Sequence, residues 1–356
     1  MDMGDMVTVH MTSSRDSVRQ TRTRILEQAE QVIDKFLVNE HDRWSALGAN
    51  AAIPVDAIAD LIRAGGKRIR PAFCVSGYLA AGGEPEDPAI ISAAIALEML
   101  HTCALIHDDV MDASVRRRGA PTVHAEHAAV HRDNHWQGES RRYGESVAIL
   151  AGDLALIYAD DFMAAAAPTV NRAWGELRAE LIIGQHLDVI AAAEFACDPE
   201  LSRQIAVVKS GHYTIHRPLV IGAIIAGRPE LATAFRTYGV AIGEAFQLRD
   251  DLLDIFSDTE TTGKPAGLDV EQHKMTLLVS LAMQRDPAVR ELVTSPSASS
   301  ARLGELLLDS GIRDEVETHI AQLVEKGCTA ISDLPLEPNW SDELVDMAHA
   351  VVYRNK

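Results

Sequence analysis

Apolar residues recur along this chain with the spacing of helices rather than of strands. Stretches rich in Leu, Ile, Val and Ala are separated by short breaks at Gly and Pro, and no segment shows the strict apolar–polar alternation of a half-buried strand. Several stretches are apolar around much of the helix circumference, which predicts that they lie inside a bundle. The pattern therefore predicts an all-α protein.

Glycine and proline mark where the helices end and begin. Gly65 and Gly66 end one helix, Pro71 begins the next, and the polar stretch 113–144 is expected to be a loop with room for one short helix. The predicted helices cover residues 17–36, 54–64, 71–81, 89–112, 145–166, 171–193, 200–225, 230–257, 273–285, 300–309, 314–330 and 341–352.

The chain has no linker rich in Gly, Ser or Pro in its middle. We therefore expect one domain over residues 17–356, preceded by a flexible N-terminus over residues 1–16, whose composition is typical of a loosely attached segment.

Composition narrows the class of protein. Of the 356 residues, 47% are hydrophobic, enough for a sizeable core, but only 5% are aromatic, so aliphatic side chains must fill that core. A formal net charge of −19 argues against nucleic acid as a partner. The four cysteines are far apart, no apolar run reaches the length of a membrane span, and the N-terminus lacks a secretory signal. These features are typical of a soluble cytoplasmic protein without a transmembrane segment.

Aspartates are concentrated late in two of the apolar helices. The DDxxD spacing occurs in a first cluster, Asp108, Asp109 and Asp112, and again in a second cluster, Asp250, Asp251 and Asp254. Residues four apart share one face of a helix. A single cluster is commonly just a solvated helix end, whereas two clusters on interior helices favour a shared divalent-metal site. Oxygen-only ligands favour Mg²⁺, which bridges carboxylates to the phosphates of a substrate.

Basic residues flank both clusters. They are Lys67, Arg68 and Arg70 in GGKRIRP, Arg117 and Arg118 after the first cluster, and Lys264 after the second. Guanidinium groups suit phosphate oxygens, and a helix N-terminus such as the one after Gly66 attracts anions. The sequence therefore predicts two bound polyanions, one held through Mg²⁺ and the other held directly by Lys and Arg.

Taken together, these motifs resemble the trans-isoprenyl diphosphate synthases, and most of all the bacterial geranylgeranyl diphosphate synthases. The matching segments keep the family's order and spacing, strongly from about Gly65 to Lys274: GGKRIRP, EMLHTCALIHDDVMD, RRGAPTVH, GDLAL, GQHLD, KSGHYT, FQLRDDLLD and GKPAGLD. The resemblance implies an all-α isoprenoid synthase fold and a homodimer. It also implies Mg²⁺-dependent, head-to-tail condensation of isopentenyl diphosphate with an allylic diphosphate, with three Mg²⁺ ions per site.

The resemblance also implies roles for individual residues. The direct Mg²⁺ ligands match Asp108, Asp112 and Asp250, while Asp109, Asp251 and Asp254 complete the clusters. The allylic diphosphate site matches Arg117, Lys209 and Lys264, next to Ser210, where the family usually has Thr, and Gln247 near the second cluster. The isopentenyl diphosphate site matches Gly66, Lys67, Arg70, His101 and Arg118. His273 departs from the family, which commonly has Gly there, so the role of that loop in closing the site is left open.

Small residues one helical turn before Asp108 are expected to set the length of the product. The growing chain should run toward the N-terminus of this helix, where one turn rises 5.4 Å, close to one isoprene unit. Cys103 and Ala104 occupy the first turn, and Leu100 lies one turn further down. We therefore predict mainly a twenty-carbon product, geranylgeranyl diphosphate, with farnesyl or longer-chain synthesis as the alternative.

Three other classes of protein fit parts of the pattern. A class I terpene cyclase binds one diphosphate and would normally lack the second cluster and GGKRIRP. A di-iron helical bundle needs two ExxH motifs, and Glu98 with His101 supplies only one. A non-catalytic subunit of a heteromeric synthase would have lost charged site positions, which are all present here. The C-terminal YRNK is left undecided between a place near the site and a frayed end.

Overall fold

The computed structural model describes residues 3–256, 274–295 and 300–354, without the side chains of residues 3–16 and 300. Within this part of the chain the secondary structure is helical apart from one small antiparallel hairpin, in which β1 (Arg116–Arg117) pairs with β2 (Ala120–Pro121). The predicted all-α class is confirmed.

The helices up to residue 163 are α1 (Met3–Ser45), α2 (Ile53–Arg63), α3 (Ile69–Ala80), α4 (Pro88–Met111), α5 (Val123–Asp133) and α6 (Ser140–Met163). The later ones are α7 (Pro168–Glu194), α8 (Pro199–Ile205), a π-helix (Ala206–His216), α9 (Arg217–Ile225), α10 (Ala232–Phe256), α11 (Leu277–Arg285), α12 (Pro287–Thr294), α13 (Ser300–Asp309), α14 (Ile312–Ile331) and α15 (Trp340–Val352). Helix α5 is the short helix for which the polar stretch 113–144 had room, whereas α12 is absent from the predicted elements.

The helices group into two compact units. Unit 1 contains Met1–Thr23, Phe73–Glu86 and Ala167–Lys356, and unit 2 contains Arg24–Ala72 and Asp87–Ala166. The first aspartate cluster therefore belongs to unit 2, and the second belongs to unit 1. The division into a flexible N-terminus over residues 1–16 and one domain over residues 17–356 stays a prediction.

Helix α4 is buried in unit 2 because it is apolar on most sides. Asp87 caps its N-terminus by accepting a hydrogen bond from the backbone N–H of Ala89 at 2.8 Å, and a proline occupies the first turn. Ile95 and Leu97 are each only 1% exposed, and the helix packs against α6. An interior helix thus carries the first aspartate cluster at its end, as the pattern predicts.

The expectation that no segment reaches the length of a membrane span is wrong for α4. Pro88–Met111 is long and apolar enough by composition, with a mean hydropathy of 1.9 over its best window. However, 67% of that window is buried inside the protein. The core helix of a large helical protein has the same composition, because it is surrounded by other helices rather than by water.

The predicted continuous helix over residues 200–225 is wrong in its middle, where the chain forms the π-helix. A Cβ atom added to Gly243 of α10 would lie 2.3 Å from Cα of Gly211, and one added to Gly239 would lie 2.4 Å from Cα of His216. The backbones of the π-helix and α10 therefore touch directly. A π-helix is wider than an α-helix and is frequently found at functional sites. The sequence did not predict it because it depends on the close approach of Gly211 to Gly243, which are distant along the chain.

His216, at the end of the π-helix, is buried, and its Nδ1 has no hydrogen-bond partner among the residues that the structure describes. Burial, followed by the charges of His212 and Arg217, lowers its pKa to about 3, although the Glu180 carboxylate opposes this shift. The unfolded chain therefore binds a proton between pH 6.5 and about 3 that the folded protein does not bind. Since the unfolded state then binds more protons, the free energy of unfolding falls as the pH falls below 6.5.

We expect this side chain to remove about 2 kcal/mol of stability between pH 7 and pH 5. The His216→Gln variant should lose less stability over that range than the natural protein, whereas His349→Gln, which replaces an exposed histidine, should not differ from it. Urea unfolding at both pH values measures the effect. An equal loss in the natural protein and in His216→Gln would contradict the assignment.

Candidate active site

The three aspartates of the first cluster occupy two different environments. Asp108 and Asp112 share a partly exposed face at the end of α4. Asp109 is only 3% exposed, and both of its carboxylate oxygens accept hydrogen bonds from Arg117, with Nε at 2.8 Å and Nη2 at 2.7 Å. The cluster therefore consists of two partly exposed carboxylates, Asp108 and Asp112, and one buried carboxylate, Asp109, which holds Arg117.

The small β-hairpin places Arg117 against the first cluster. Pairing of Arg117 with Ala120 closes the hairpin, and Arg118 and Gly119 take the left-handed conformations that the tight turn requires. Burial lowers the pKa of the Arg117 guanidinium, but the hydrogen bonds and charge of Asp109 outweigh burial and raise it. Arg117 also lies 3.7 Å from Asp108. It is therefore a fixed positive charge beside the partly exposed carboxylates.

Residues predicted to bind isopentenyl diphosphate meet in unit 2. A Cβ atom at Gly66 would lie 2.7 Å from Nη2 of Arg118, so this guanidinium packs on the glycine backbone, while its Nη1 donates to the Leu61 carbonyl at 3.1 Å. Burial, followed by the charges of Arg70 and Arg118, holds the pKa of His101 well below its usual range. The arginines around this ring give the surroundings positive charge, which suits an anionic ligand.

Arg68 of GGKRIRP is held by two glutamates. Its Nη1 donates to the buried Glu98 carboxylate at 2.5 Å, and its Nε donates to Glu30 at 2.8 Å. Arg68 therefore stabilises the GGKRIRP segment through these two ion pairs. Glu98 is the counter-ion of Arg68 rather than an iron ligand. Lys67 is exposed.

Unit 1 brings together the residues predicted around the second cluster. A cavity of about 130 Å³ is lined by Asp188, Lys209, Ser210, Gln247, Asp251 and Lys274, among others. Within it, Lys209 Nζ donates to Asp188 Oδ2 at 2.6 Å, and Gln247 Nε2 donates to Asp251 Oδ1 at 2.9 Å. The cavity thus combines cationic and amide donors with carboxylates.

Close contact between α7 and the π-helix positions Lys209. A Cβ atom at Gly184 would lie 2.7 Å from Cα of Lys209, so the backbones touch there, and Asp188 follows one turn later on α7. Sequence reasoning gave Asp188 no role. Its signal is the motif GQHLD, in which Asp188 is the acidic residue.

Asp250 forms an ion pair with Arg354, whose guanidinium also lies 4.1 Å from the ring centroid of Phe246. Arg249 holds this end of the chain by donating to the Val352 carbonyl at 3.0 Å. The undecided C-terminal segment therefore places an arginine at the second cluster. Asp254 is partly exposed at the end of α10, and Lys264 and His273 lie outside the described residues.

Residues predicted to set product length differ in their exposure on α4. Ala104 is partly exposed on the face of Asp108, one turn earlier. Cys103 and Leu100 are 6% and 2% exposed, and the thiol of Cys103 faces His107 Nδ1 at 3.8 Å. Of the three, Ala104 is the residue that shares the partly exposed face with Asp108.

The donors fit Mg²⁺ if a diphosphate completes the coordination. Among the described residues, no group of three or more His, Cys, Asp or Glu could hold a metal ion. Mg²⁺ is usually bound by one or two carboxylates together with water and substrate phosphates. Asp108 and Asp112 supply such a pair with oxygen donors only, and Asp250 already binds a cationic group.

Residues 53–306 match the polyprenyl synthetase family. The geranylgeranyl pyrophosphate synthase of Corynebacterium glutamicum, solved with isoprenyl diphosphate and magnesium, is 36% identical with a TM-score of 0.86, covering 93% of this chain and 98% of that one. A short chain isoprenyl diphosphate synthase of Methanothermobacter thermautotrophicus is 36% identical over 237 residues, 63% of this chain and 65% of that protein. A geranylfarnesyl diphosphate synthase of Aeropyrum pernix is 32% identical over 307 residues, 81% and 89% of the two chains.

The helical fold is the isoprenoid synthase fold, which defines the class of protein. This chain belongs to the polyprenyl synthetase family and is a prenyltransferase. Membership does not fix the product, because one of these relatives is named for geranylgeranyl and another for geranylfarnesyl diphosphate.

Proposed function

We propose that the protein condenses isopentenyl diphosphate head to tail with allylic diphosphates, with geranylgeranyl diphosphate as its main product. The observation that carries this proposal is the clustering of Arg70 and Arg118 around His101 in unit 2, since this positive charge supplies a place for a diphosphate without metal. The cavity around Lys209 in unit 1 offers separate donors for another anion. A terpene cyclase binds one diphosphate and would not need two anion sites, one in each unit.

Asp108, Asp112 and Asp250 are the proposed Mg²⁺ ligands, with three ions per site. Bound Mg²⁺ would supply the charge that stabilises the diphosphate as it leaves the allylic carbon. Arg117, Lys209 and Lys264 are proposed to hold the allylic diphosphate directly.

Gly66, Lys67, Arg70, His101 and Arg118 are the residues proposed to bind isopentenyl diphosphate. His101 is proposed to donate a ring N–H to a phosphate oxygen. The proton lost after carbon–carbon bond formation is proposed to go to the released diphosphate, so no side chain is assigned as base. Ser210 and Gln247 are proposed to contribute polar contacts around the allylic diphosphate.

A cytoplasmic homodimer is the proposed state of the protein. Large apolar side chains are exposed on two helices, namely Ile149, Leu150 and Ile157 on α6 and Ile182 and Ile183 on α7. Exposed apolar side chains of this size support burial against another subunit. The two diphosphates are the proposed small-molecule partners, and the net charge of −19 argues against nucleic acid.

Consumption of isopentenyl diphosphate tests the reaction type. With Mg²⁺ and an allylic starter, the protein expressed alone should incorporate labelled isopentenyl diphosphate into a longer diphosphate. Conversion of the allylic substrate without isopentenyl diphosphate would support a cyclase instead. Incorporation only after a second protein is added would support a subunit of a heteromeric synthase.

Replacing Ala104 with Phe should shorten the product from twenty to fifteen carbons. Ala104 shares the face of Asp108, so a ring at this position would block the direction in which the chain grows. Ala104→Leu provides a graded comparison and should give a mixture of the two lengths. Chromatography of the dephosphorylated alcohols measures the distribution of product lengths. An unchanged distribution in both variants would show that Ala104 does not set the product length.

A further inference from the structure

His107 immediately precedes Asp108, yet it contacts α6. Its Nε2 lies 3.1 Å from the carbonyl oxygen of Ile149. Because a carbonyl only accepts, Nε2 carries the hydrogen and donates it to Ile149. Nδ1 lies 3.8 Å from the Cys103 thiol, which donates weakly, and Asp153 Oδ1 lies 3.6 Å from Nε2. The ring therefore contacts α6 through Nε2 and α4 through Nδ1.

Gly152 leaves the space that the His107 ring fills. A Cβ atom at position 152 would lie 2.2 Å from Nε2 and 2.4 Å from Cδ2 of the ring. A ring is stiff and cannot yield as a flexible chain end would. The glycine is therefore required by this close approach, and the ring interlocks α4 with α6 at one point.

This contact fixes the rotation of the last turn of α4. Successive helical residues point about 100° apart around the axis. His107 is anchored to α6 on one side of Asp108, and Asp109 is anchored to Arg117 on the other. Asp108 lies between two fixed directions, so the contacts of its neighbours set the direction in which its side chain leaves the helix.

We propose that His107 is a positioning residue for Asp108 and that Gly152 is the socket that holds it. This inference rests on the proposed metal-binding role of Asp108. Loss of an outer contact that orients a metal ligand typically weakens metal affinity by about 10- to 100-fold. We therefore expect His107→Leu to raise the Mg²⁺ concentration needed for half-maximal activity by about tenfold or more.

Four variants separate positioning from simple packing. His107→Gln keeps a donor near the position of Nε2 and should remain close to the natural protein, whereas His107→Leu keeps bulk without the donor. Gly152→Ala displaces the ring while leaving His107 in place and should resemble His107→Leu. Gly175→Ala is the matched control, because within the described part of the chain its added methyl group would meet no atom within 4 Å beyond its own stretch of helix.

Metal affinity can be measured without turnover as the binding of Mn²⁺ in the presence of inorganic diphosphate. Electron paramagnetic resonance detects the Mn²⁺ that remains free. The inference predicts weaker binding in His107→Leu and Gly152→Ala, and near-natural binding in His107→Gln and Gly175→Ala. It is overturned if His107→Leu folds and binds Mn²⁺ as tightly as the natural protein, or if His107→Gln is as weak as His107→Leu. If Gly152→Ala does not fold, the two His107 variants decide the question.

The same experiment distinguishes this inference from the function on which it rests. A natural protein that neither binds Mn²⁺ with diphosphate nor consumes isopentenyl diphosphate would overturn the proposed function, and the positioning role with it. A natural protein that does both, with variants that lose only thermal stability, would overturn the positioning role alone.

Discussion

Replacing Asp108 with Asn is expected to lower kcat by about 1,000-fold while the protein stays folded. The substitution keeps the size of the side chain but removes the negative charge that would hold Mg²⁺. Metal stabilisation of a leaving diphosphate contributes several kcal/mol, and each 1.4 kcal/mol corresponds to about tenfold in rate. Asp108 lies on a partly exposed face and is not a buried counter-ion, so its loss should affect stability little.

The measurement is the rate of isopentenyl diphosphate incorporation at saturating substrate over a range of Mg²⁺ concentrations. Asp161→Asn removes an equivalent charge from an exposed position on α6 and serves as the control. A loss in Asp108→Asn no greater than in the control would exclude Asp108 as a metal ligand. Full rescue by excess Mg²⁺ would show that the charge affects affinity only.

Replacing Arg117 with Met should reduce both stability and activity, by different routes. The variant leaves Asp109 as a buried carboxylate without its guanidinium, and breaking a buried pair in this way costs about 3–5 kcal/mol of unfolding free energy. Activity should fall as well, because Arg117 is the fixed positive charge proposed to hold the allylic diphosphate.

The double variant Asp109→Leu with Arg117→Met separates the two effects. Replacing a whole buried pair by apolar side chains is often neutral for stability, so unfolding free energy should recover while activity does not. Arg141→Met, at an exposed ion pair with Glu145, should leave both properties unchanged. If activity recovered with stability, the role of Arg117 would be structural alone.

The helices and both aspartate clusters could be predicted because they depend on local sequence. Because α4 is apolar on most sides, its burial can be predicted from its own residues, and the motif DDxxD shows where its charge lies. The motif does not reveal that its members differ. Asp109 is buried against Arg117 while Asp108 is partly exposed, and that difference depends on where the hairpin carrying Arg117 folds back.

The features that could not be predicted depend on close contacts between distant segments. The π-helix lies where Gly211 meets Gly243, and Lys209 reaches Asp188 because Gly184 lets the backbones approach. The pairing of Arg354 with Asp250 joins positions about a hundred residues apart. Helical periodicity carries no information about such pairs.

Sizing the product of the unmodified protein tests the central claim most directly. Purified protein is incubated with Mg²⁺, labelled isopentenyl diphosphate and, in parallel, dimethylallyl, geranyl or farnesyl diphosphate, and the dephosphorylated alcohols are separated by length. A dominant twenty-carbon alcohol from each starter is the predicted result. A dominant fifteen-carbon or much longer alcohol would contradict the chain-length assignment at Ala104, and no incorporation from any starter would contradict the proposed activity of this chain on its own.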